Sequence, residues 1–393
     1  MKPSRIIGLD IMRAIAILMV LVFHSLVIVS PLYKIPVWGS MIHKVLALSE
    51  PLGLLGVELF FVLSGFLIGT ILIKVFIKSE NYGKSDIFNF YVRRWFRTLP
   101  NYWLILLANL CIYQALQMDP FSADKLRYFL FLQNLWSPQP AFFREAWSLA
   151  VEEWAYLTLP VVIFALSKIF KASPKKKIIF LTFVTYASTF LLARCSNNLS
   201  ITDPLYFDSG VRKVVCYRLD AISYGLLMAY LLLFYKHRMA KIRRPLLMIS
   251  IVGIVVLSFI HFVGIFSYLQ LYQTSIRFRA FINIFFLSLV PLFFSLSIPY
   301  AALLTTISSK AISKAATFIS KISYSMYLVH FSLLLLPMLH FGAFTIHNCI
   351  PYYLLYLAVV FGLSSVIYYY YEKPVMDLRK RFSKDDPAII SKS

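Results

Sequence analysis

Arg13 and His24 bound the stretch "RAIAILMVLVFH", with ten uncharged and almost wholly apolar residues between them. An eleven-residue step is about three turns of α-helix, so both side chains face one way, about 16 Å apart along the axis. Either is costly in hydrocarbon, and ionisable residues inside membranes face a bundle interior or a water-filled cavity. Asp10, three residues before Arg13, is spaced to pair with it. Histidine titrates near pH 6.5 when unperturbed and so suits acid or base work, which is worth about 10²–10⁴-fold in rate. Taken alone, this helix has a second reading. Asp10 and Arg13 then reach to the interface, and His24 is a polar contact between helices.

The same kind of residue recurs along the chain: Glu58 in "GVELFFVLSGFLIG", Glu152 and Glu153 in "AWSLAVEEWAYL", Arg218 and Asp220 in "YRLDAISYG". Ser148 precedes the glutamate pair, Tyr324 and His330 fall in "SYSMYLVH", and Glu372 falls in "YYYYEKP". Together they predict an internal polar site. Glu152 and Glu153 point about 100° apart on a helix, so at most one shares a cavity with His24, where a carboxylate would fix the imidazole tautomer. "SDIFNFYVRRWFRTLPNYW" (85–103) carries Arg93, Arg94 and Arg97. Arginine offers phosphate a two-pronged contact that lysine does not; lipid headgroup contact is the competing reading. Ser85 is spaced to cap this segment and Pro100 to end or kink it, which places it at the cytoplasmic interface. Trp136, Trp147 and Trp154 suit either sugar stacking or interfacial anchoring.

These residues sit in a chain of 393 that is 60% hydrophobic and only 14% charged. Soluble proteins carry about 25% charged residues, so the elements that position the site are membrane helices. Windows near 7–29, 53–77, 101–118, 147–167, 178–194, 218–235, 245–266, 280–298, 323–340 and 350–371 approach the length of about 20 residues that a span requires. The expectation is an all-α polytopic bundle of about ten transmembrane helices. With the N-terminus inside, 27 of the 39 Lys and Arg fall in inside segments and ten in outside segments. That asymmetry puts both termini in the cytoplasm. It also accounts for the net charge of +22 without a nucleic-acid partner. The first apolar run is too long for a signal peptide and holds His24, so it reads as an uncleaved span. The four cysteines make no metal pattern, and Cys195 and Cys216 flank one outside loop as either a pair or two free thiols.

"LDIMRAIAILMVLVFH", "GVELFFVLSGFLIG", "FYVRRWFRTLPNYW", "AWSLAVEEWAYL" and "ISYSMYLVH", in this order, resemble the membrane-bound acyltransferase 3 family, from Leu9 to the closing "YEKP". The resemblance implies a multi-pass protein of the bacterial inner membrane. Its activity would be to O-acylate, most often O-acetylate, a surface carbohydrate such as O-antigen, capsule or exopolysaccharide. The donor it implies is cytoplasmic acetyl-CoA as a substrate, with no bound cofactor. It puts His24 in the position of the essential histidine and Arg93, Arg94 and Arg97 at the acyl-CoA. The reaction read from these positions adds Arg13 at the donor phosphates and Glu152 or Glu153 as the orienter of His24. Asp10, Glu58, Ser148, Arg218, Asp220, Tyr324 and His330 are the supporting polar set. The acyltransferase domain would span 1–376, with 377–393 as a short basic cytoplasmic tail. Some relatives carry a fused SGNH-type esterase domain; none is expected here, so the protein acts alone or with a separate partner. His24 serves either as general base or as an acyl relay. A transporter or flippase for a lipid-linked sugar is the competing function.

Overall fold

The structure is a computed structural model that describes residues 5–35, 39–119, 121–197, 201, 203–266 and 271–382. The expected tail therefore lies outside the described residues from 383 onward. Among the described residues there is no strand. The principal helices are α1 (Ile7–Ser25), α2 (Gly39–Lys78), α3 (Lys84–Ala115), α4 (Ala146–Ile169) and α5 (Lys175–Asn197). They continue with α6 (Asp220–Phe234), α7 (Lys236–Phe266), α8 (Leu287–Leu303), α9 (Lys310–Val329) and α10 (Cys349–Ile367). Among the described residues, eight stretches are long and apolar enough to cross a bilayer. The ten expected windows include two that fall short of this. The 218–235 window lies on α6, which is apolar but has only 15 residues, and 101–118 lies on the more polar α3.

Hydrophobic burial cannot drive helix association in lipid, so close packing must, and small residues permit it. The α2–α6 crossing shows this directly. A Cβ on Gly65 would stand 1.9 Å from the carbonyl oxygen of Ile222, and one on Gly225 would stand 2.2 Å from that of Val62. Helix α1 lies against α2 on one side and α9 on another, with Ala16, Ile17 and Val20 fully buried. That packing brings Asp10 and Arg13 against Ser320 of α9 and His24 against His330 just beyond its end.

Segment 85–103 differs from expectation. Ser85 lies inside α3, and the residue that caps the helix is Gly83, whose N–H donates to the Asp86 carboxylate at 3.1 Å. Pro100 does not end the helix, which runs unbroken for 32 residues. Around it, side chains take up backbone carbonyls: Thr98 Oγ1 donates to Arg94 O at 3.1 Å and Tyr324 Oη to Thr98 O at 2.8 Å. The second of these bonds ties α3 to α9 two residues before the proline, whose missing N–H loosens the helix there.

Candidate active site

His24 ends α1 in its last turn, and His330 follows directly on α9. His24 Nδ1 lies 3.1 Å from His330 Nε2, and His330 Nδ1 lies 2.7 Å from the backbone carbonyl of Tyr327. A carbonyl only accepts, so His330 Nδ1 carries a hydrogen, and in the neutral ring its Nε2 is a lone pair. His24 Nδ1 must then donate, which leaves His24 Nε2 as an unprotonated lone pair. Two rings thus form a chain anchored on backbone that fixes the tautomer of His24.

The chain turns wide at this point. Residues His330–Leu335 form a π-helical stretch, a feature frequent at functional sites. Glu145 supports it: its two carboxylate oxygens accept from Ser332 N, at 3.0 Å, and from Ser332 Oγ. Tyr356 Oη donates to the His330 carbonyl at 2.8 Å, and the Arg144 N–H donates to Ser332 Oγ at 3.0 Å. The backbone beyond His330 is therefore hydrogen-bonded by side chains from two other parts of the chain.

Nearby, a cavity is lined by Arg13, Arg94 and Arg97 and by Ser64, Glu152, Tyr156, Tyr324, Ser148 and Tyr327. Arg13 is held there from α9, donating to Ser320 Oγ at 3.1 Å. The same hydroxyl donates to Asp10 at 2.7 Å, and Asp10 also accepts from Arg5 at 2.7 and 2.9 Å. Glu152 accepts from Ser64 at 2.9 Å and from Tyr156 at 2.7 Å. Ser148 Oγ and Tyr327 Oη lie 2.6 Å apart, and Tyr327 carries the carbonyl that anchors His330. The cavity thus gathers three arginines, a carboxylate and several hydroxyls, and the histidine pair stands behind it through the Tyr327 carbonyl.

The expected residues divide into groups. Arg13, Arg94, Arg97, Glu152, Ser148 and Tyr324 share the cavity, and His24 and His330 share a hydrogen bond. Arg93 is buried on α3 and is not among the cavity-lining residues. Glu153 turns to Thr98 and Arg94. The place at His24 Nδ1 expected for one of these carboxylates is taken by His330, because α9 packs closer to this end of α1.

Glu58, Arg218 and Asp220 belong elsewhere. Arg218 donates to Glu58 and, at 2.9 Å, to Leu287 O, while Asp220 pairs with Arg194 at 2.8 Å. All four ionised side chains are fully buried, so this network cross-links α2, α5, α6 and α8 without a hydrogen bond to the histidines among the described residues. Cys195 and Cys216 are free thiols. Trp147 is buried against Phe61, Trp154 donates to Phe131 O at 3.0 Å, and Trp136 is exposed.

Several residues with a place here carry no signal in the sequence. Glu145 lies in a loop, where a carboxylate is unremarkable; its spacing three before Ser148 is the only hint. Asp208, Arg212 and Lys213 form a loop cluster in which Asp208 accepts from Arg212 at 2.6 Å and from Lys213. Burial pushes the Asp208 carboxyl up, but the two cations outweigh it and hold its pKa at about 2. Burial, with Arg212 beside it, draws the Lys213 ammonium down.

The family model described as an acyltransferase domain matches residues 6–369. O-acetyltransferase OatA of Staphylococcus aureus (strain NCTC 8325 / PS 47) is 24% identical over 397 aligned residues, covering 95% of this chain and 58% of OatA. A putative O-acetyltransferase, SACOL0978, of Staphylococcus aureus (strain COL) is 26% identical over 346 residues, 85% of this chain and 51% of that one. The chain thus spans between half and three-fifths of the length of these relatives. No solved structure matches.

Proposed function

The chain belongs to the acyltransferase domain family, and from that premise we propose that it is an integral-membrane O-acyltransferase. It moves an acetyl group from cytoplasmic acetyl-CoA to a hydroxyl of a cell-surface carbohydrate or its lipid-linked precursor, in the bacterial inner membrane, with both termini cytoplasmic. The observation that carries the reading is the histidine chain, whose anchored end is a residue of the cavity wall.

In this mechanism the phosphates of the donor lie against Arg97, Arg94 and Arg13, with Arg93 supporting them from within α3. The pantetheine arm runs along the wall past Glu152 toward Ser148 and Tyr327, and the thioester stops beside His24. His24 Nε2 takes the proton of the acceptor hydroxyl as its oxygen attacks the thioester carbon. The tetrahedral intermediate collapses with cleavage of the C–S bond, and the proton on His24 passes to the departing CoA thiolate. His330 keeps Nε2 as the free nitrogen, and a general base needs that lone pair available. A second ring partner thus does what a carboxylate does in a triad, orienting the base and fixing its tautomer.

The test is the O-acetyl content of the surface glycan, read by NMR from a strain lacking the gene and from its parent. Loss of O-acetyl signals in the deletion strain, and their return on complementation, is the expected result. Identical spectra, with an altered amount of glycan at the surface, would favour a transporter and defeat the proposal.

A further inference from the structure

A second cationic site stands at the other end of the His24 axis from Arg13, and the donor's phosphates do not account for it. Arg212 is 11% exposed at its side chain and stacks over Trp147, its guanidinium carbon 4.8 Å from the ring centroid. Asp208 Oδ1 accepts from its Nε at 2.6 Å and forms an ion pair with its Nη2 at 2.6 Å. The third nitrogen, Nη1, is buried with no hydrogen-bond partner among the described residues. An unpaired buried donor costs about 1–3 kcal/mol, so its presence calls for an explanation.

The loop is held so as to present this group. Asn134 Nδ2 donates to Lys213 O at 2.6 Å and to Trp147 O at 3.2 Å, while Val215 N donates to Asn134 O at 3.0 Å. Cys216 N adds a bond to Leu135 O at 3.2 Å. Arg212 and Lys213 are electrostatic neighbours of His24, and Arg144 is a neighbour of Lys213. Arg212 and Lys213 both face Asp208, while Glu145 lies beside Arg144 and Glu58 lies within electrostatic reach of Arg212. A neutral sugar does not require a cation here. A guanidinium tied to Asp208, stacked on an indole and unpaired at Nη1 matches a carboxylate or phosphate oxygen.

We propose that Arg212, with Lys213 beside it, is the acceptor-side recognition site and that the acceptor carries an anionic group which Arg212 Nη1 binds. The inference rests on the acyl-transfer reading above and adds a substrate class to it. The anion is either the carboxylate of an acidic sugar or the phosphate that joins a sugar to a lipid carrier. Arg212 holds that group beside Trp147, which places a neighbouring sugar hydroxyl at His24 Nε2.

Purified full-length protein in lipid nanodiscs, given radiolabelled acetyl-CoA, is assayed with three acceptors: dodecyl glucoside, dodecyl glucuronide and a glucose linked to a prenyl diphosphate. At least one anionic acceptor should exceed the glucoside in kcat/KM by about ten- to a hundredfold, the scale of one charge-assisted hydrogen bond. Preference for the glucuronide identifies a sugar carboxylate; preference for the diphosphate identifies the carrier. Arg212→Gln should bring the ratio of anionic to neutral acceptor close to one. If that variant does not fold, Arg212→Lys, which keeps the charge and loses the fork, should lower the ratio at least about threefold. Equal use of all three acceptors by the unmodified protein, or a ratio unchanged in the Arg212 variant, overturns the inference while acyl transfer stands. Absence of His24-dependent transfer to every acceptor overturns both.

Discussion

Replacing His330 with leucine removes the acceptor for His24 Nδ1–H while keeping an apolar side chain in a fully buried site. The lost bond is 3.1 Å long and joins the half-buried His24 ring to the fully buried His330 ring. A buried donor left without a partner costs about 1–3 kcal/mol. If that cost falls on the reactive orientation of His24, where each 1.36 kcal/mol is about tenfold, kcat drops about 5- to 150-fold. The KM for acetyl-CoA should move little, since His330 is not among the cavity-lining residues. His330→Gln is the informative companion, because its amide oxygen can accept from His24 Nδ1 and should restore part of the rate. Steady-state kinetics with radiolabelled acetyl-CoA reads both variants, with gel filtration confirming that each is folded. A folded His330→Leu protein with unaltered kcat would refute the tautomer argument, as would equal losses in the leucine and glutamine variants.

Three further outcomes follow from other parts of the structure. Arg97→Gln and Arg94→Gln should each raise the KM for acetyl-CoA by about ten- to a hundredfold, the scale of a charge-assisted hydrogen bond, measured by initial rates across donor concentrations. Either Arg218→Met or Glu58→Leu leaves a fully buried charge unpaired and should cost about 3–5 kcal/mol. The double variant should recover most of that loss in thermal denaturation. Asp208 has a pKa held at about 2, against about 3.9 in an unfolded chain. Its contribution is therefore complete above about pH 4 and lost as pH falls through 2. The gap in thermal stability between Asp208→Asn and the unmodified protein should be constant from pH 7 to 5 and should close toward pH 2.

The membrane bundle and most of the site's cast are legible in the sequence because hydrocarbon makes every ionisable residue conspicuous. Arg13, His24, Glu152 and His330 stand out in apolar runs for that reason alone. Their pairing does not stand out. His24 meets His330 across 306 positions of sequence, a contact set by how α1 packs on α9. No helical periodicity contains that distance. The same limit applies to Glu58, Arg218 and Asp220, which share the chemistry of the site but lie on helices that close a different network. Pro100 reads as a helix end because proline removes a donor. The 32-residue helix nevertheless runs on through Pro100, with α9 packed beside it through Tyr324 and Thr98. Glu145 and Arg212 were invisible for the opposite reason. Both lie in polar loops, where charge is ordinary and only the structure shows that the one supports the backbone beyond His330 and the other stacks over Trp147.

The most direct test of the central claim is label transfer by the purified protein and its His24→Ala variant, each supplied with radiolabelled acetyl-CoA and glycan-bearing lipid extracted from its own membrane. The unmodified protein should place label on the glycan and release free CoA. The folded variant should bind acetyl-CoA with similar affinity and transfer none. Full transfer by the variant would contradict the account.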